Sequence, residues 1–224
     1  MLRPHHATMV WCMVRAAERV TKQLPGHRHK FYPAALLWGR SMLTNPKATI
    51  EDLYHASEHG KAELVDGELV RMAPTGFLPS RAAGAIYVRL REYERHTQAG
   101  YALADNTGFI VNLPHRESFS PDIAFDIGQP TGMRFLDGAP IFAVEVRSEG
   151  DYGPAAEKAL ADKRADYFAA GTLVVWDVDL LSPDVIKVYR TSDQNNPTIY
   201  RRGEIAEAEP ALPGWRMAVD ELFT

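Results

Sequence analysis

Two acidic residues, Asp122 and Glu145, stand where carboxylates are costly. Asp122 follows Pro121 at the head of the apolar run IAFDI, and Glu145 lies inside the apolar run IFAVEV. An unpaired charge in a sheet core is strongly disfavoured, so each carboxylate needs a compensating partner. A divalent ion answers that need, because hard cations such as Mg²⁺ take carboxylate oxygens together with water and substrate phosphate. The pair therefore reads first as a metal site for phosphodiester chemistry. The competing reading is structural. Asp122 would then be a strand-start acid capping a loop, and Glu145 half of an ion pair with Arg147 or Arg164.

The elements that would position these groups follow from local pattern. In the strand predicted over 141–146, period two puts Phe142, Val144 and Val146 on one face and Ala143, Glu145 and Arg147 on the other. Pro154 opens a helix that Gly171 closes, and in it Lys163 and Tyr167 lie four apart on one face. A lysine there can lean toward the metal site, lower the pKa of a water or stabilise a charged transition state at phosphorus. Leu173–Val178 is a continuous apolar run, as expected of a central strand.

Upstream, Thr49 and Asp52 form a weak capping box for a helix to about Glu58. AELVDGELVRM reads as a hairpin turning at Asp66-Gly67. Pro74 to Pro79 reads as a loop, and a helix is predicted from Ser80, with Ala83, Ile86, Tyr87, Leu90 and Tyr93 on one face. Strands are expected at 101–104, 108–112 and 123–127, with PHRESFSP as a polar loop. More exposed strands are expected at 185–189 and 198–201, and Trp176 and Trp215 read as core. The sum is an α/β fold, a mixed β-sheet flanked by helices, in one domain over 43–224.

Composition narrows the classes. At 224 residues, 46% apolar and 24% charged, the chain has the make-up of a globular protein. One cysteine, Cys12, excludes an internal disulfide framework and suits a reducing cytoplasm. No apolar run reaches the roughly 18–20 residues of a membrane span. The histidines show no zinc-ligand spacing. The net charge of −4 is uneven: residues 1–41 carry seven Lys or Arg and one Glu, leaving −10 on the rest. Residues 1–42 read as a basic leader, disordered or an over-extended start, and the acidic body argues against broad, salt-driven coating of DNA.

Seven segments in order, AELVDGELVRMAP, DNTGFIV, SPDIAF, GAPIFAVEVRS, DKRADYFAAG, VVWDVD and LPGWRMAVDELF, resemble the Uma-two-type "putative restriction endonuclease" family, a branch of the PD-(D/E)xK nuclease superfamily. The resemblance runs from about Thr49 to Phe223. It implies a restriction-endonuclease-like core, Mg²⁺ dependence with Mn²⁺ as substitute, and DNA hydrolysis. Asp122 matches the aspartate of the first half-motif and Glu145 the acidic residue of the second. Arg147 stands where the superfamily lysine usually falls, and that role passes to Lys163 in the next helix. The family's hairpin acid maps to Glu63, with Glu68 as second candidate.

The chain departs from the family twice. TGFLPSRAAG carries Arg81 where the family often has a histidine, and Ser148-Glu149-Gly150 replaces its serine-proline. The resulting expectation is a metal-dependent endodeoxyribonuclease in which Asp122, Glu145 and Glu63 serve the metal and Lys163 the attacking water. Its partner is DNA, with no membrane and a possible homodimer. The alternative is a catalytically silent relative that binds nucleic acid or a protein partner. Glu68, Arg81 and Tyr167 read as structural.

Overall fold

The computed structural model describes residues 46–224; the basic leader expected over residues 1–42 lies outside them. The elements in chain order are α1 (Ile50–Ser57), β1 (Ala62–Val65), β2 (Glu68–Arg71), α2 (Phe77–Thr97), β3 (Tyr101–Leu103), β4 (Phe109–Ile110), β5 (Ser118–Phe119) and β6 (Ile123–Asp126). They continue as β7 (Leu136–Asp137), β8 (Phe142–Val146), α3 (Pro154–Ala169), β9 (Val174–Val178), β10 (Ile186–Arg190), β11 (Asp193–Tyr200), β12 (Ile205–Glu207) and β13 (Arg216–Ala218). A 3₁₀ turn over Val219–Phe223 follows.

Six strands form the central sheet in the order β11-β10-β9-β8-β6-β3. Only β8 and β9 run parallel, as the intervening α3 requires; the other pairings are antiparallel. The alternation read in β8 decides the layers. Phe142, Val144 and Val146 face a core shared with α2 and the C-terminal segment, where the rings of Phe142, Trp176 and Trp215 meet at centroid distances of 5.2–5.9 Å. Ala143 and Val175 face the opposite core, closed by Tyr167 and Phe168 of α3 and by Phe109 and Phe119 of the small sheet β5-β4-β7.

The hairpin β1–β2 turns at Asp66 and Gly67, both at positive φ, as a two-residue hairpin of this type demands. It docks on the segment before β5. Asp66 N–H donates to His115 O, Glu117 N–H to Leu64 O, and Leu64 N–H to the Ser118 hydroxyl. The stretch expected to be only a polar loop is therefore part strand, and it carries a buried arginine, Arg116. Helix α2 begins at Phe77, three residues earlier than its periodicity suggests. Pro79 sits in the first turn, where no intrahelical N–H is owed. Two strands at the tail, β12 and β13, were not legible in the sequence.

At the start of α1 the capping box is complete: Asp52 N–H donates to the Thr49 hydroxyl at 3.2 Å, and Thr49 N–H to the Asp52 carboxylate at 2.8 Å. Thr49→Ala is expected to cost about 1 kcal/mol in urea unfolding, and a loss within error would show that α1 is held by packing alone.

Candidate active site

The β6/β8 register pairs Ile123 with Val144, and one residue further it sets Asp122 opposite Glu145. Asp122 is fixed by backbone at both ends. Its N–H donates to Val144 O at 3.1 Å, and its Oδ2 accepts from Val146 N–H at 2.8 Å. Its Oδ1 takes the Lys61 ammonium at 2.7 Å, and the same ammonium binds Asp105 at 2.7 Å. Glu145 points to the α3 side of the sheet. Its Oε1 lies 2.8 Å from Lys163 Nζ and accepts from the Tyr167 hydroxyl at 2.7 Å. The shared helical face of Lys163 and Tyr167 thus converges on Glu145.

Glu63, in β1, is buried at 3% exposure. Its Oε1 binds Lys163 at 2.9 Å and the Ser120 N–H at 2.8 Å, and its Oε2 binds Arg116 at 2.6 Å. Arg116 continues to Asp166 at 2.8 Å, which also meets His115 at 2.7 Å. The sequence-derived candidates Asp122, Glu145, Lys163 and Glu63 all line one cleft of about 510 Å³. Glu68 is exposed on β2. Arg81 donates to the C-terminal Thr224 O at 2.7 Å. Arg147 is buried and spent on carboxylates, with Asp177 at 2.7 Å and Glu157 beside it.

Sequence reasoning missed Lys61, Arg116, Asp105 and Asp166. A signal existed for Lys61, because KAE puts residues 61 and 63 on the same side of a strand. Nothing in PHRESFSP marks Arg116 as buried.

Burial pushes the Glu145 carboxyl up; Lys163 opposes this, while the charges of Asp122 and Glu63 add to the rise. Burial also acts against the Glu63 carboxylate, but Lys163 and Arg116 outweigh it and hold that group below the usual range. Burial would lower Lys163, yet Glu145 and Glu63 hold it above the ordinary lysine range. Lys61 rises for the same kind of reason, through Asp122 and Glu145. The Tyr167 phenol is driven well up by burial and then by Glu145.

The network joins Asp105, Asp122, Glu145, Glu63 and Asp166 through Lys61, Lys163 and Arg116. Counted formally, these five carboxylates against three cations give a charge of −2. Among the described residues no three metal-ligating side chains are gathered on one point as they stand; ammonium groups lie between them instead. Oxygen donors and a deficit of two positive charges nevertheless suit one hard divalent ion.

A mixed sheet of this order, flanked by helices, is a restriction-endonuclease-like fold. The crystal structure of "a putative nuclease belonging to DUF820" from Anabaena variabilis superposes with a TM-score of 0.59 at 15% identity. The match covers 72% of this chain and 89% of that one. Residues 48–220 match the Uma2 family, described as "Putative restriction endonuclease", and the chain belongs to that family. No curated protein matches the chain in sequence. Among the described residues no helix is long and apolar enough to cross a membrane.

Proposed function

We propose that this chain is a Mg²⁺-dependent endonuclease that hydrolyses DNA phosphodiester bonds. One observation carries the reading: Asp122 and Glu145 stand opposite each other on adjacent strands, facing a cleft, in a cluster that lacks two positive charges. Asp122 and Glu145 would hold the ion. Glu63 has both oxygens engaged by Lys163, Arg116 and the Ser120 amide, so it anchors Lys163 and reaches an ion only through water. When bound, the ion supplies Lewis-acid polarisation of the phosphoryl group and acidifies water.

Lys163 keeps its proton, because two carboxylates hold its pKa above the usual lysine range. It therefore acts as a hydrogen-bond donor and fixed charge rather than as a base. Of its three N–H donors, two are taken by Glu63 and Glu145. The third is left to orient a nucleophilic water or to meet charge developing at phosphorus.

The test compares wild type with Asp122→Asn. In the wild type, Mg²⁺ or Mn²⁺ is expected to raise the melting temperature and to support nicking of supercoiled plasmid. Both effects should vanish in the folded variant. A well-folded wild type that ignores both ions would instead favour a catalytically silent binder. One observation supports that second reading: both Asp122 oxygens are already satisfied, by Lys61 and the Val146 amide.

A further inference from the structure

Lys61 lines the cleft and is left unused by the proposed chemistry. Its ammonium sits 2.7 Å from Asp122 Oδ1, on an oxygen a divalent ion would need, and 2.7 Å from Asp105 Oδ1. The Lys61 side chain is only 13% exposed and Asp122 16%, whereas Asp105 is 48% exposed. Asp105 also accepts the N–H of Asn106 on the same Oδ1, which fixes its carboxylate in the neighbouring pocket that it lines with Asp122 and α2. One ammonium is thus shared between an inner carboxylate and an outer one.

Resting on the metal-dependent reading above, we infer that Lys61 is a positioning residue that occupies the cation position on Asp122 until a divalent ion displaces it. Asp105, the more exposed carboxylate, then retains it. The pair at Asp122 neutralises a carboxylate that would otherwise stand beside Glu145 with no counter-charge of its own. The bond to Asp105 means displacement moves the ammonium outward without stranding it. The moved lysine would lie on the more exposed of the two carboxylates, nearer solvent. Such a placeholder lowers apparent metal affinity by the fraction of molecules in which Lys61 still covers Asp122.

The full chain is titrated with Mn²⁺ alone, in wild type, Lys61→Met and Lys61→Arg. In parallel, Lys61 modification by an amine-reactive ester at fixed pH is followed by peptide mass spectrometry with and without Mn²⁺. With about a tenth of the molecules uncovered at rest, Lys61→Met is expected to bind Mn²⁺ about tenfold more tightly, and Lys61→Arg to bind as wild type does. Lys61 labelling should rise several-fold when Mn²⁺ binds wild type, and lose that dependence in Asp122→Asn. Equal affinity in Lys61→Met, or a Lys61 that stays protected once Mn²⁺ has bound, overturns the placeholder and leaves the metal site standing. Absence of Mn²⁺ binding in every folded form overturns both. Should Lys61→Met fail to fold, the wild-type labelling alone decides.

Discussion

Lys163→Met is expected to lower Mg²⁺-dependent plasmid nicking by about 10²–10³-fold, the scale on which removal of one preorganised electrostatic donor is felt. The expectation follows from how Lys163 is held. Glu63 at 2.9 Å and Glu145 at 2.8 Å fix its ammonium, so a third donor is held in place in the cleft that Lys163 lines. Methionine keeps the length and loses the charge.

The two acids respond differently. Glu63 retains Arg116 and the Ser120 amide and stays ionised. Glu145 loses the cation that opposes its burial, while Asp122 and Glu63 continue to repel its charge, so its pKa climbs further. In the metal-free protein the Glu145 carboxyl, already above its ordinary value, should titrate at still higher pH in Lys163→Met. The sign for stability is also fixed. A carboxyl with a raised folded pKa contributes stability below its unfolded pKa that is lost as pH rises through the folded one. Metal-free protein should therefore lose the Glu145 contribution on the alkaline side of the usual carboxylate range. The wild-type pH–rate profile should show no limb from Lys163 near neutral pH, because Glu145 and Glu63 hold it above the ordinary lysine range. A wild-type rate in Lys163→Met, measured on folded protein, would remove this lysine from the reaction.

What the sequence made legible and what it hid divide by the range of the interaction. The face carrying Glu145, the pairing of Lys163 with Tyr167 and the hairpin turn at Asp66-Gly67 depend on residues a few positions apart, where strand and helix periods act directly. The sequence could propose that Asp122 and Glu145 meet, because each sits in its own apolar strand. It could not show what fills the space between the acids. Lys61 reaches Asp122 across 61 positions and Arg116 reaches Glu63 across 53. Both contacts depend on the hairpin docking against residues 115–118, through backbone bonds that no side-chain pattern announces. A sequence reading that supplies carboxylates but not their ammonium and guanidinium partners overstates how open the site is.

The largest stability effect is expected at Arg116, which the sequence left in a loop. Its side chain is 8% exposed and joins two carboxylates that are themselves nearly buried: Glu63, 4% exposed, at 2.6 Å and Asp166, 10% exposed, at 2.8 Å. Its guanidinium also lies 5.0 Å from the centre of the Phe119 ring. Removing one member of a buried ion pair strands the other, at about 3–5 kcal/mol, whereas an exposed pair is worth about 0–1 kcal/mol. Arg116→Met, which keeps most of the packing volume, should therefore lose about 3–5 kcal/mol in urea unfolding.

Relief is available on each side. Glu63 keeps Lys163 and the Ser120 amide, and Asp166 keeps His115. These place the loss toward the lower end of that range. Adding Glu63→Gln to Arg116→Met should recover part of it, since the stranded charge is then gone; the coupling in such a cycle typically falls within about 0.5–3 kcal/mol. The pH dependence gives an independent sign. Glu63 has a depressed folded pKa, so its stabilisation is present above its unfolded pKa and lost as pH falls through the folded one. Without Arg116 the depression shrinks, and acid unfolding should begin at higher pH. A loss under about 1 kcal/mol, the scale of a surface pair, with no change on the acid side would mean that Lys163 and the Ser120 amide alone hold Glu63. The ionic chain beneath the cleft would then end at Glu63 instead of reaching Asp166.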